Sequence, residues 1–262
     1  MFHYEFMQNA FIAAIFISIL CPLVGVFLVL KRYSMMGDTL AHSSFAGVAI
    51  GLVTGFNPIL CAFIFTSCCA ILIEILRNYY KKQADLILVI ILTLSVGIGI
   101  SLSSSGKTNT NINSFLFGSI LTVTKQDLFT MLILSIISII TLYKLYNKLI
   151  YITFDEEGAS INNIHVTKIN YIFALLVGST ISVSIRVMGI LVISSMIALP
   201  VATALQYHSG FKKTMILSII FGFIDIISGL FLSYIMNCAP GGTIALVSVL
   251  VLVIVLVVKG KR

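Results

Sequence analysis

The chain has 262 residues, 59% of them hydrophobic and only 10% charged, with 16 Lys and Arg against 9 Asp and Glu for a net charge of +7. A soluble domain carries about a quarter of its residues as charges to cover its surface, so this composition excludes one. It also excludes a disordered chain, a collagen-like repeat and a secreted disulfide scaffold. What remains is a polytopic membrane protein in which each charge has to be explained by its position.

In chain order, apolar runs long enough to cross a bilayer fall at 9–30, 38–56, 58–76, 86–103, 127–146, 169–187, 188–206, 213–235 and 243–258. The first nine residues hold no Lys or Arg, and the run behind them has full span length, so it reads as an anchor and not as a cleaved signal peptide. Residues 169–206 can also form one hairpin or an irregular pair, and Asn113–Leu121 a short re-entrant segment, so eight or nine spans are expected in a single domain over 1–262. The longest polar connection is Asn147–Asn170. With the N-terminus outside, only Lys107, Lys125 and Arg186 lie on the outer side, and the other thirteen of the 16 basic residues face the cytoplasm, as does the C-terminus. That is the positive-inside pattern, so the basic excess records topology and gives no reason to invoke nucleic acid.

Ionisable groups inside a bilayer are costly and point to function by default. Asp38 and His42 stand four residues apart early in the second span, about 40° apart on a helix, so both project from one face. A carboxylate oxygen and an imidazole nitrogen so placed can share one cation, and the pair suits zinc, manganese or ferrous iron. The other reading is an ion pair that locks two helices. Two ligands are too few for a closed structural zinc site, which fits a site that must release its ion. Gly47, Gly51 and Gly55 follow at i, i+4 spacing and predict a packing face opposite the polar one, leaving Phe45 and Ala49 beside Asp38 and His42 on the pathway side. Asp225 is mid-span, either on the path or bonded across helices, with packing the preferred reading. Glu74 and Arg77 are an i, i+3 pair near the inner interface. Arg186 is expected to snorkel to the outer headgroups. Cys21, Cys61, Cys68, Cys69 and Cys238 lack metal-ligand spacing and read as small buried apolar side chains. His3, His165 and His208 fall in termini or loops. Ser101–Thr108 imitates a phosphate loop, but Ser101 replaces its first glycine and no strand precedes it, so ATP-driven work requires a separate subunit.

The segment Met36-Gly37-Asp38-Thr39-Leu40-Ala41-His42-Ser43-Ser44-Phe45-Ala46-Gly47-Val48-Ala49-Ile50-Gly51 resembles the membrane-permease motif of bacterial ABC importers for divalent transition metals. Phe115-Leu116-Phe117-Gly118-Ser119-Ile120-Leu121, with Asp127 after it, is similar to that family's Leu-Phe-Gly segment. Val187–Ala204 is similar to its Val-Gly-x-Leu-Leu-Val…Pro-Ala-Ala-Thr-Ala stretch. Gly229-Leu230, Ser233-Tyr234 and Pro240-Gly241-Gly242 resemble its closing motifs, so the likeness spans about residues 20–250.

The resemblance implies an all-α permease of the vitamin B12 permease-like type that works as a homodimer in the bacterial cytoplasmic membrane. It implies two cytoplasmic ATPase subunits, an extracytoplasmic solute-binding protein, an ion path along the dimer axis, and transport of Zn2+ or Mn2+ with no permanently bound cofactor. It carries the metal-path role over to Asp38 and His42, with a wording closer to the zinc members. Coupling to the ATPase is expected near Leu199–Lys213, through Pro200, Ala202, Thr203, Lys212 and Lys213. The family's Asp-x-Glu-x-Ala pattern is kept at its acidic start in Phe154-Asp155-Glu156-Glu157-Gly158-Ala159, but Gly158 and Asn162-Asn163 depart from it. The competing readings are a proton- or sodium-coupled secondary cation transporter using Asp38, His42 and Asp225, and a membrane enzyme, for which no catalytic constellation stands out.

Overall fold

A computed structural model describes residues 5–80, 83–105, 113–119 and 124–259. His3, Lys81, Lys82, Lys107, Ile120, Leu121, Lys261 and Arg262 lie outside the described residues. The described residues form helices and connections without a strand. The helices are α1 (Glu5–Leu30), α2 (Ser34–Thr54), α3 (Pro58–Tyr79), α4 (Ala84–Ser104), α5 (Asn113–Phe117), α6 (Lys125–Phe154), α7 (Glu156–Ile161), α8 (Val166–Met188), α9 (Ile190–Leu205), α10 (Phe211–Met236) and α11 (Pro240–Lys259).

Seven of these helices are long and apolar enough to cross a membrane: α1, α3, α4, α6, α8, α10 and α11. The other two expected spans differ, for two physical reasons. α2 has the length but carries Asp38, Thr39, His42, Ser43 and Ser44 in its first half. α9 has 16 residues, about 24 Å of rise against a hydrocarbon layer of about 30 Å. Neither needs to satisfy lipid, because α2 packs on α3, α4, α8 and α9, and α9 packs on α1, α2, α10 and α11. With α1 and α8 they form the interior of the bundle, while α4, α6, α10 and α11 present exposed Leu, Ile, Val and Phe outward.

Hydroxyls make this polar interior tolerable. In α8 Thr180 donates to the Leu176 carbonyl, Ser182 to Gly178 and Ser184 to Thr180, each at 2.7–2.8 Å. Backbone acceptors on the same helix therefore satisfy side chains that lipid could not. Between helices, Ser43 meets Ser95 at 2.9 Å and Ser138 meets Ser179 at 2.7 Å.

The two ends of the bundle differ in chemistry. At one end lie Lys31, Arg77, Lys168, Lys212, Lys213 and Lys259, together with α7. The region expected to be one long polar loop, 147–170, is mostly helix: α6 continues to Phe154, and Asp155 both ends it and caps α7, accepting from the Gly158 amide at 2.8 Å. A side chain at 158 would meet that carboxylate, which gives the unexpected glycine a local reason. At the other end three backbones converge. Gly118 (φ +75) and Gly189 (φ +77) adopt a conformation that favours glycine, and a Cβ on Gly189 would stand 2.3 Å from the Gly118 nitrogen. Gly241 sits equally tight against the Met188 carbonyl. Residues 169–206 are thus two helices broken at Gly189 alone.

Candidate functional site

The α1–α2 turn is short, Lys31 to Tyr33, and Arg32 takes a positive φ of 59° to make it. The helix that follows buries Met36, Gly37, Leu40 and Ala41, with Gly37 facing Ile197 of α9. Asp38 and His42 fall on its remaining face. Their side chains are 47% and 28% exposed, and His42 Nε2 lies 4.0 Å from Asp38 Oδ1. That separation is too long for a hydrogen bond. It lies at the lower end of the sum of two metal–ligand distances of about 2.0–2.2 Å each, and a tetrahedral angle needs about 3.4 Å, so one ion can touch both groups once the side chains rotate closer. Among the described residues no three His, Cys, Asp or Glu side chains gather around a common point, so this is an open, incomplete pair.

The rest of α2 differs from its expected faces. Phe45 is 7% exposed and lies against Gly99 of α4, and Ala49 is 1% exposed, so neither extends the polar face. Gly47 and Gly51 pack against α3, where an added Cβ would stand 2.6 Å from Ala62 Cα and 2.8 Å from Pro58 Cα. Gly55 meets nothing within 4 Å; with φ +78 it caps the helix in the left-handed conformation.

The other intramembrane charges have partners. Asp225 is fully buried; its Oδ2 accepts from Ser248 of α11 at 3.0 Å, and the same hydroxyl approaches Met196 Sδ of α9 at 3.8 Å. Asp225 of α10 thus sits where α9, α10 and α11 meet. Glu74 and Arg77 pair at 3.1 Å, and the Arg77 guanidinium stacks 3.8 Å from the Tyr33 ring. Arg186 does not snorkel. Its Nε and Nη2 donate to Asp127 Oδ2 at 3.1 and 2.8 Å, while its guanidinium lies 4.4 Å from the Phe115 ring. Asp127 is held in turn by a capping box with Thr124 at the start of α6. Sequence reasoning reaches Asp127 only as a motif residue; the capping pattern Thr124-x-x-Asp127 is the signal that could have found its role. The cysteines are free, and Cys68 and Cys238 are exposed.

At the basic end, Pro200 and Thr203 are buried, Ala202 is half-buried, and Lys212 and Lys213 are exposed. α9 runs unbroken through Pro200 to Leu205, so the expected coupling region is the end of α9 and the turn into α10. The separate short helix at this end is α7, with Glu156, Glu157 and Ser160 exposed. Two clefts open beside these elements. One of about 740 Å³ is lined by Tyr146, Ile150 and 208–213, the other of about 660 Å³ by Arg77, Asn78, 154–157, Ser160, Val166 and Thr167. Neither includes Asp38 or His42.

Comparison with known proteins fits this geometry. Residues 3–259 match the ABC 3 transport family. A probable metal transport system membrane protein of Treponema pallidum is 48% identical over 98% of this chain and 96% of its own length. The high-affinity zinc uptake system membrane protein ZnuB of Buchnera aphidicola is 32% identical, covering 94% of each chain, and the manganese transport system membrane protein MntC of Listeria monocytogenes 28%, covering 99% and 92%. Among solved structures, PsaBC from Streptococcus pneumoniae superposes with a TM-score of 0.87 at 29% identity, covering 97% of this chain and 92% of that one. With a bundle of this shape and a match over nearly the whole sequence, the chain belongs to the ABC 3 transport family.

Proposed function

We propose that this chain is the membrane permease of an ATP-driven importer that carries a divalent transition metal into the cytoplasm of a bacterium. The half-exposed Asp38–His42 pair carries the reading: on the interior helix α2 it is an acid and an imidazole left open to a third partner. A soft-to-borderline nitrogen beside a hard oxygen accepts Zn2+ or Mn2+. The names of the relatives include both metals, and the motif wording favours zinc.

Two such ligands bind weakly, and water or the same pair from a second copy completes the shell. The ion then passes by alternating access around a dimer axis. An extracytoplasmic binding protein delivers it at the end holding Gly118, Gly189 and Gly241. ATP hydrolysis belongs to separate subunits at the basic end, a reading supported by the Ser101–Thr108 stretch, in which Ser101 replaces the first glycine of a phosphate loop. Those subunits dock on α7 and on the exposed Lys212 and Lys213. The secondary-transport alternative loses support because Asp225, its third ionisable group, is sealed against Ser248.

The test is uptake of Mn2+ and Zn2+, separately and in competition, by the permease reconstituted with its ATPase in vesicles. Asp38→Ala and His42→Ala are each expected to reduce uptake at least a hundredfold while the ATPase still co-purifies. Wild-type uptake in both variants overturns the assignment.

A further inference from the structure

α7 is fastened to the bundle by a polar chain that ends at the helix bearing Asp38. Asn170, in the first turns of α8, is 6% exposed. Its Nδ2 donates to Glu156 Oε1 of α7 at 3.2 Å, and its Oδ1 accepts from Lys31 Nζ at 2.8 Å. Lys31 begins the three-residue turn between α1 and α2, with its ammonium 5.2 Å from the Phe173 ring and 5.6 Å from the Tyr33 ring. Tyr33 donates its amide to Leu28 and carries Arg77 of α3 on its ring. Asp38 lies one helical turn beyond Ser34, the first residue of α2. A displacement of Glu156 thus reaches Lys31 through two hydrogen bonds and Asp38 through one turn and one helix end.

The bonding demands of the three groups make the chain directional. Asn170 donates from one end of its amide and accepts at the other, so it can sit between a carboxylate and an ammonium without repelling either. A buried amide with both ends used is held in one orientation, because any rotation leaves a polar group unpaired at a cost of about 1–3 kcal/mol. Such a link transmits position and does not slip.

We propose that Asn170 is a positioning residue that carries movement of α7, driven by the docked ATPase, through Lys31 into the N-terminus of α2 and so to the Asp38–His42 pair. The proposal rests on the reading of α7 as a docking element, and the experiment separates the two. The complete importer, reconstituted in vesicles, is assayed for metal moved per ATP hydrolysed, with Mn2+ and Zn2+ as the probes.

Glu156→Ala changes only an exposed side chain and opens the first link; the ratio is expected to fall at least fivefold. Asn170→Asp sets two carboxylates against each other and is expected to do the same. The double variant Asn170→Asp with Glu156→Gln restores the chain with the first bond reversed, since the amide introduced at position 156 donates to the carboxylate introduced at position 170, which still accepts from Lys31. It is expected to return within twofold of wild type, a recovery that simple damage to packing does not give. Unchanged ratios in both single variants overturn the proposal, as does a double variant no better than Asn170→Asp. Docking is read independently from Glu157→Lys, on the face of α7 outside the chain: loss of co-purifying ATPase supports the docking reading. Retention at wild-type level removes that reading and this proposal with it. If docking is lost there while the relay variants keep a wild-type ratio, only the proposal falls.

Discussion

Asp225 is a mid-helix carboxyl group for which we propose a packing role and no part in the ion path. It is fully buried, Ser248 is its hydrogen-bond partner, and Oδ1 has none. An amide of the same shape preserves the Ser248 bond, so Asp225→Asn is expected to transport at wild-type level and to melt in detergent within a few degrees of wild type. Asp225→Ala removes the bond and leaves a cavity, and is expected to cost about 2–3 kcal/mol. Lost uptake in a well-folded Asp225→Asn protein places the residue on the ion path instead. Lys31 answers to pH. Burial pushes its ammonium down from 10.5 to about 8, while Glu156 and Glu74 pull it up and Arg77 pushes it lower. A base with a depressed folded pKa holds fewer protons folded than unfolded between those two values, so its burden on stability is present below pH 8 and relieved as pH rises toward 10.5. The melting temperature of wild type relative to Lys31→Met is therefore expected to rise between about pH 7 and pH 10. A falling or flat difference contradicts that sign.

Elements are legible in proportion to how much of their burial is set by lipid. The apolar runs of α3, α4, α10 and α11 present exposed apolar side chains outward, and their expected bounds lie within several residues of the helices. α2 and α9 are buried by protein, so hydropathy and length say little about how deep they sit. Asp38 and His42 can be placed on one face from their spacing alone, whereas the burial of Phe45 depends on Gly99, 54 positions further along the chain. Arg186 escapes a sequence reading for the same reason: its partner Asp127 lies 59 positions away. The junction of α5, α8 and α9 offers an element-level test. Gly189 combines φ +77 with ψ 158 and has no room for a Cβ beside Gly118. Gly189→Ala is expected to lose about 3 kcal/mol or more and most of the folded protein, since backbone strain of order 1–3 kcal/mol adds to the clash. Gly97→Ala, in open space on α4, is the matched control and is expected to stay within about 1 kcal/mol of wild type in the same melting assay. Equal stability of the two variants contradicts a rigid glycine junction.

At the scale of the whole molecule, the asymmetry of charge supports one proposed direction of insertion. Basic side chains and α7 gather at one end, whereas the opposite end holds the buried Arg186–Asp127 pair, the glycine junction and the α10–α11 turn. Positive charge is retained on the cytoplasmic side during insertion, so the proposed orientation puts the α10–α11 turn outside. Cys238 lies in that turn and is exposed, with its thiol 3.4 Å from the Met236 carbonyl. Cys68, the other exposed cysteine, is midway along α3, a helix long and apolar enough to cross a membrane, and a thiol at mid-span is out of reach of a water-borne reagent. A membrane-impermeant maleimide applied to intact cells is therefore expected to label the wild-type chain at Cys238, with labelling reduced at least tenfold in Cys238→Ser. Lys212→Cys placed in that background puts a thiol at the basic end and is expected to react only after the cells are permeabilised. Labelling of the Lys212→Cys protein in intact cells, with Cys238 protected until permeabilisation, reverses the insertion. It would also move the docking face of α7 to the wrong side of the membrane for any ATP-driven partner.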